Sequence, residues 1–367
     1  MFARLLLCAL LCAPLLVASV PTGAAPAFSI SFLPTNTFAY SINQAGQFAG
    51  EADFPPGVRH AALWTSLDAP RDLGSLGEFS SAQAISNNGL VAGYSVLTTG
   101  FIHGFLYDNG TLTDIGTLTG GNSFGYGVNA SGVVVGEADD PDGTFHPFVY
   151  ANGVLTELGA TSLVYGQAQG INDAGQVAGG GQFIGSDYAH AFLYSDGVLR
   201  DLGTLGGPAS FAFAVNDRGQ VAGTSFIDDD LEHMFLYSDG VMQDIGSLGG
   251  PLTGTRALNN LGMVVGYSTY PGDEPGVVFS KATLYQDGVV YDLNNLVDTQ
   301  EGLWTLTDAV AINDARQILV NACTEFGDCR TALLTPVPEP PTLLLLVAGL
   351  LTVGAGRYVA PRPLVFS

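Results

Sequence analysis

The chain is written in short apolar strips. In His190-Ala191-Phe192-Leu193-Tyr194 the side chains alternate, with His190, Phe192 and Tyr194 on one side and Ala191 and Leu193 on the other, and both sides are largely apolar. Alternation of period two marks a β-strand, and apolar character on both faces marks a strand covered from both sides. Two-residue turns follow such strips at Asn109-Gly110, Asn152-Gly153, Asp196-Gly197, Asp239-Gly240 and Asp287-Gly288. These pairs tolerate positive φ at both central positions of a type I′ hairpin. The pattern continues with a strand such as Val198 to Gly203, a Gly-rich link, a strand ending in Ile-Asn, a turn such as Asn172 to Gly175, and a last strand such as Gln176 to Gly179. Nothing of useful length has helical spacing.

This phrase is a repeat. Residues 190–223 return upstream from Ile102 and downstream from Glu232, and the Asn that ends the Ile-Asn strand recurs at Asn43, Asn129, Asn172, Asn216, Asn259 and Asn313, with Ser86 in the same slot. The steps are 43, 43, 43, 44, 43 and 54 residues, so there are seven copies. A period in the low forties is the length of four short strands and their turns in one propeller blade. A single sheet of so many strands would curl or split, whereas radial stacking buries both faces of each small sheet and leaves only short edges. The last copy stops near Arg330 to Pro336 without a fourth strand, and Phe28 to Pro34 precede the first Ile-Asn phrase where a fourth strand would sit. The expectation is an all-β, seven-bladed β-propeller closed by a clasp of strands from both ends. The rival is an open β-solenoid, which needs capping repeats that the sequence does not show.

Charge narrows the partners. The 367 residues hold 34 acidic and 11 basic side chains, with Lys281 the one lysine. With Arg4, Arg357, Arg362 and Glu339 set aside, residues 28–336 keep 33 acids and 8 bases, a net charge of about −25. Such a surface repels phosphate backbones, which disfavours nucleic-acid binding. It also serves solubility, and cations or neutral and basic glycans remain as partners.

The ends carry targeting signals. Residues 1–27 combine Arg4, an apolar run to about Val20 and small residues ending in Ala25-Pro26-Ala27, the make-up of a secretory signal peptide cut after Ala27. Cys8 and Cys12 lie inside the apolar run and leave with it. The mature chain then keeps Cys323 and Cys329 for an oxidising compartment, where a local disulfide is expected to contribute about 2 kcal/mol. With no further Cys and no nearby His, zinc is not expected there. At the other end, Pro338-Glu339-Pro340 precedes an apolar run from Leu343 to Ala355 and then Arg357 and Arg362. This reads as a stop-transfer-like segment with a positive cytoplasmic end. An apolar run of 13 residues is short for a stable span and suits a transient anchor that is later cut.

Candidate chemistry is sparse. His60, His103, His146, His190 and His233 share one repeat slot, which Lys281 or a neighbour and Arg330 take in the last two copies. Equivalent positions of different blades spread around the axis, so a packing or hydrogen-bonding role is expected of them rather than a metal site. The acids Asp72, Asp114, Glu157, Asp201, Asp244 and Asp292 recur beside them. Repetition singles out no pair for general acid and base work. The loops Asp139 to Gly143 and Ile227 to Glu232 are rich in oxygen and could take Ca²⁺, but neither has EF-hand spacing, and no cofactor is expected. No nucleophile elbow, zinc-protease motif or phosphate loop is present, so no catalytic residue is assigned. The irregular stretch Asn294 to Ala309 accounts for the 54-residue step and contains Trp304, which either stacks on a sugar or fills a gap between blades.

Two resemblances rest on these residues. The tail, with Pro338, Glu339, Pro340, the apolar run and Arg357 and Arg362 in that order, resembles a PEP-CTERM sorting segment. This implies processing by a membrane exosortase in a Gram-negative bacterium that makes exopolysaccharide, with delivery to the cell surface or matrix. The copies over residues 36–336 resemble the HAF family of extracellular repeats, named for the phrase standing here as His190-Ala191-Phe192, and that family implies no established activity. The organisation expected is a signal peptide (1–27), a repeat propeller (28–336) and a sorting segment (337–367) that provides the sole membrane contact. The function expected is non-catalytic binding of exopolysaccharide or a surface protein; the alternative is a polysaccharide hydrolase or lyase using carboxylates in irregular loops.

Overall fold

The computed structural model describes residues 28–55, 57–271, 278–297 and 303–338. Residues 1–27, the sorting residues Glu339, Pro340, Arg357 and Arg362 and the apolar run before the arginines lie outside them. Among the described residues no helix is long and apolar enough to cross a membrane.

Seven four-stranded antiparallel sheets form a seven-bladed β-propeller. Blade 1 takes Thr37–Ile42, Phe48–Phe54, Val58–Trp64 and Arg71–Gly74 from the axis outward. Blades 2 to 6 follow over residues 80–114, 123–157, 163–201, 210–246 and 253–292. Blade 7 takes its three inner strands, Thr305–Ile312, Ile318–Cys323 and Cys329–Pro336, from the end of the chain and its outer strand, Phe28–Phe32, from the beginning. Phe28 stands opposite Pro336 and Phe32 opposite Ala332, so the expected clasp closes the disc.

The core lies between blades. Ala49, Leu63 and Leu73 of blade 1 pack with Ala82, Val91 and Phe105 of blade 2, and Leu319 and Leu333 of blade 7 pack with Phe48 and Trp64 of blade 1 across the seam. The repeated phenylalanines Phe105, Phe148, Phe192 and Phe235 are fully buried. Each lies over the glycine of a Val-Ala-Gly or Val-Val-Gly phrase: a Cβ on Gly223 would fall 2.1 Å from the Phe211 carbonyl and 2.6 Å from the Phe235 ring. The repeat therefore needs that glycine because a backbone and an aromatic ring already fill the space. In blade 1 Ala62 takes the Phe slot, and Trp64 fills the room by stacking on Phe48 at 5.7 Å between centroids.

The periodic Asn locks blade to blade. Asn216 accepts from the amides of Arg218 and Gln220 with Oδ1, which shapes its own turn, and its Nδ2 donates to the Asn259 carbonyl of the next blade at 3.0 Å. The same reach joins Asn43 to Ser86, Asn129 to Asn172, Asn172 to Asn216, Asn259 to Asn313, and Asn313 back to Asn43. Ser86 is too short to cross; Asn88 crosses instead, donating to the Ala130 carbonyl at 2.8 Å. The ring of contacts is complete, including the seam between the two chain ends.

Strand direction gives the disc two unlike faces. The Asn turns and the hairpins lie on one side, with Asn109-Gly110 and its four counterparts all at positive φ as expected for type I′ turns. The inter-blade links and the loops between second and third strands lie on the other, so the irregular segments collect there. Ser80, Ser123 and Ser210 bond blades together at that loop face, each accepting from an amide and donating to a carbonyl of the preceding blade.

Candidate functional site

Every innermost strand carries a register shift next to one residue: between Ala39 and Ser41, Ala82 and Ala84, Gly125 and Gly127, Ala168 and Gly170, Ala212 and Ala214, Thr255 and Ala257, and Ala309 and Ala311. A bulge inserts one unpaired residue and re-aims its side chain. Here those residues are Tyr40, Gln83, Tyr126, Gln169, Phe213, Arg256 and Val310, and together with Asp308 and Asn321 they line a chamber of about 520 Å³ on the axis. The volume falls within the range of about 300–1,000 Å³ typical of small-molecule sites. The flanking residues are small because neighbouring blades approach closely at the axis: a Cβ on Gly127 would fall 3.2 Å from the Gln169 carbonyl. Below the chamber, Ile42, Ile85, Val128, Ile171, Val215, Leu258 and Ile312 form an apolar collar, and below that lie the Asn turns.

Buried acids stand behind the chamber wall. Tyr126 donates to Glu137 at 2.7 Å, and Glu137 is 5 % exposed. Burial, then the Glu137 charge, pushes the Tyr126 phenol well above its ordinary range; burial and Glu51 do the same to Tyr40. Burial also raises the Glu137 carboxyl, with the side chains of Tyr126 and Gln167 pulling the other way. Asp308 accepts from Arg256 Nε at 3.0 Å, its buried Oδ1 has no partner, and burial raises its carboxyl against the pull of Arg256. Arg256 lies over Tyr267 at 5.2 Å, while Arg59 is bound by Asp53 at 2.8 Å and Glu51 at 3.3 Å. Aromatic rings run from Phe79 through Tyr94 and Phe124 to Tyr126, with centroids 5.2–6.2 Å apart.

The residues singled out in the sequence sit elsewhere. His60, His103, His190 and His233 hydrogen-bond through Nδ1 to Asp72, Asp114, Asp201 and Asp244 of their own blades, His146 meets Glu157 at 3.1 Å, and Lys281 meets Asp292 at 2.6 Å. Most of these acids also accept the amide two residues on, as Asp201 does from Gly203, so each pair ties a third strand to the start of a link. In the acidic loops, Asp140 and Asp228 accept from amides of their own loops. Among the described residues no group of three or more His, Cys, Asp or Glu is placed to hold a metal ion. Cys323 and Cys329 are bonded to each other across a hairpin of the loop face. Trp304 packs on Phe32 at 4.8 Å beneath the Arg330 guanidinium, so it fills the clasp.

Sequence reasoning did not single out the chamber, yet the signal is present. Across seven copies the residue three before the Asn slot is Tyr, Gln, Tyr, Gln, Phe, Arg and Val, while its neighbours stay small and the next apolar position stays Ile, Val or Leu. This slot diversifies while the residues on either side of it hold their type.

No family model and no curated protein matches the chain. Among solved structures it is similar to TolB from Acinetobacter baumannii (12 % identity, TM-score 0.46, 80 % of this chain and 64 % of that one). It is similar also to dipeptidyl peptidase 4 of Porphyromonas gingivalis (13 %, 0.42, 78 % and 50 %) and to Trypanosoma rangeli sialidase (9 %, 0.35, 93 % and 59 %). The chain thus spans half to two thirds of each of these proteins, and the likeness is one of fold alone.

Proposed function

We propose that this chain is a secreted, non-catalytic propeller of the cell surface or extracellular matrix that binds glycan in the axial chamber. The observation that carries the reading is the ring of bulge residues: the repeat keeps its packing, turn and inter-blade slots and the apolar collar, and varies the bulge position that lines the axial chamber. Phenol, amide, guanidinium and aromatic groups converge there, the mixture that pairs with sugar hydroxyls and covers the apolar face of a sugar ring. The raised phenols of Tyr40 and Tyr126 keep their protons at neutral pH and so are poor nucleophiles. Export by the signal peptide, sorting by an exosortase and exopolysaccharide as the glycan source follow from the resemblances at the two ends and in the repeats.

The test is retention of the mature secreted protein on exopolysaccharide from the producing cells, with reducing ends assayed in parallel. The expected result is retention without release of ends, at least tenfold weaker in a Gln83→Ala, Gln169→Ala variant whose thermal midpoint is unchanged. Release of ends overturns the non-catalytic reading, and retention indifferent to these substitutions removes the chamber as the site.

A further inference from the structure

We infer that the sugar held by the chamber is a neutral hexose with adjacent free hydroxyls; this rests on the reading of the chamber as a glycan site. The first argument is charge. Among the described residues Arg256 is the one basic side chain lining the chamber and Asp308 the one acidic side chain, and Arg256 Nε donates to Asp308 at 3.0 Å. Each cancels the other, so neither an amine nor a carboxylate that enters meets an unengaged opposite charge. A charged group would lose its hydration there and gain no partner in return. The phenols of Tyr40 and Tyr126, raised well above their ordinary range by burial, bring no charge at neutral pH.

The second argument is what the wall leaves open for hydrogen bonding. Gln83 donates one N–H of its amide to the Ser81 hydroxyl at 2.8 Å, and Gln169 donates one to Gln167 Oε1 at 3.3 Å, so each keeps a second N–H and its own carbonyl oxygen. Asn321 Oδ1 accepts from Thr331, which leaves Nδ2 as a donor, and Tyr126 donates to Glu137, which leaves the phenol oxygen as an acceptor. Open donors and open acceptors are therefore interleaved around the wall. A hydroxyl both donates and accepts, whereas an ammonium only donates and a carboxylate only accepts, so hydroxyls alone use both kinds. A primary amide sets a donor beside an acceptor, which matches two adjacent hydroxyls. The ring is also polarised about the axis. Tyr40, Gln83, Tyr126 and Gln169 come from blades 1 to 4, while the apolar Phe213 and Val310 come from blades 5 and 7. A hexose can turn a hydroxylated edge to the first arc and the C–H face of its ring to Phe213.

The experiment is calorimetric titration of the mature protein with tetrasaccharides: neutral ones of glucose, mannose and galactose, one of glucosamine and one of galacturonate. The ranking is read at about 0.5 M salt, where attraction to the acidic surface is screened. The expected result is that a neutral tetrasaccharide binds at least tenfold tighter than either charged one, and that its affinity changes less than twofold on dilution to about 0.05 M salt. Asp308→Asn leaves Arg256 without its counter-charge and should raise the affinity for the galacturonate at least fivefold. Asp228→Asn, Asp229→Asn, Asp230→Asn, which removes charge from an exposed loop, should not. Circular dichroism melts check that both variants fold, and the ranking in the unaltered protein decides by itself where Asp308→Asn does not. Tightest binding by either charged tetrasaccharide overturns the inference while leaving the chamber as a glycan site. No gain in a folded Asp308→Asn, or an equal gain in the loop variant, overturns it as well, since the pair would then not be what turns charge away. Failure of every tetrasaccharide to bind overturns the glycan reading too.

Discussion

A single side chain can join two blades while shaping its own turn. Asn216 accepts two local amides and donates across the gap, so Asn216→Ala removes several hydrogen bonds at a site where the Asn is 4 % exposed. At about 1 kcal/mol net for each bond, the expected loss is about 2–4 kcal/mol, read as a lower midpoint in chemical denaturation. Glu137 gives a second test. Its carboxyl pKa is higher folded than unfolded, so the ionised form is the one disfavoured by folding; stability is greatest below the unfolded value and falls as pH rises through the folded one. Glu137→Gln keeps an acceptor for Tyr126 and removes the charge, so it should raise the thermal midpoint at pH 7 and flatten its fall between pH 4 and pH 7. An unchanged profile would show that Glu137 does not titrate in that window. Legibility differs sharply between these residues. The Asn slot was visible as a period, but its cross-blade reach needs a neighbour some 43 residues away, and Glu137 has no counterpart in most copies to mark it.

At the scale of elements, local chemistry spoke most clearly. Asn109-Gly110 and Asp196-Gly197 announced hairpins because few other pairs accept positive φ twice. The bulges were not announced, since they insert a residue without glycine or any other local mark in most copies. The insertion after blade 6 also read ambiguously. Its Leu296 carbonyl accepts from the Phe28 amide and its Val297 bridges Phe28, so the extra length braces the clasp strand. Deleting Phe28–Phe32 should bare the edge of Cys329–Pro336 and make the protein associate through that edge, seen as an increase in particle mass by light scattering relative to the intact chain. Replacing Cys323 and Cys329 by Ser should cost about 2 kcal/mol by the chain-entropy argument without altering binding in the chamber, because the bond closes only a short hairpin of blade 7.

For the whole molecule, seven copies, the last completed by a strand from the other end, were enough to give the architecture, because radial closure is the arrangement that buries both faces of every sheet. What the repeat could not show is which end of the disc meets a ligand, for that depends on strand direction rather than on pattern. The clasp answers a related question. Phe28 and Pro336 pair at the level where the Asp-Gly hairpins turn in the other blades, so both ends of the body depart from the side opposite the link loops. A tether at either end therefore grips the disc from behind. Held in that way against a membrane or a wall, the molecule stands like a dish on its stalk, with the chamber opening outward to whatever diffuses past.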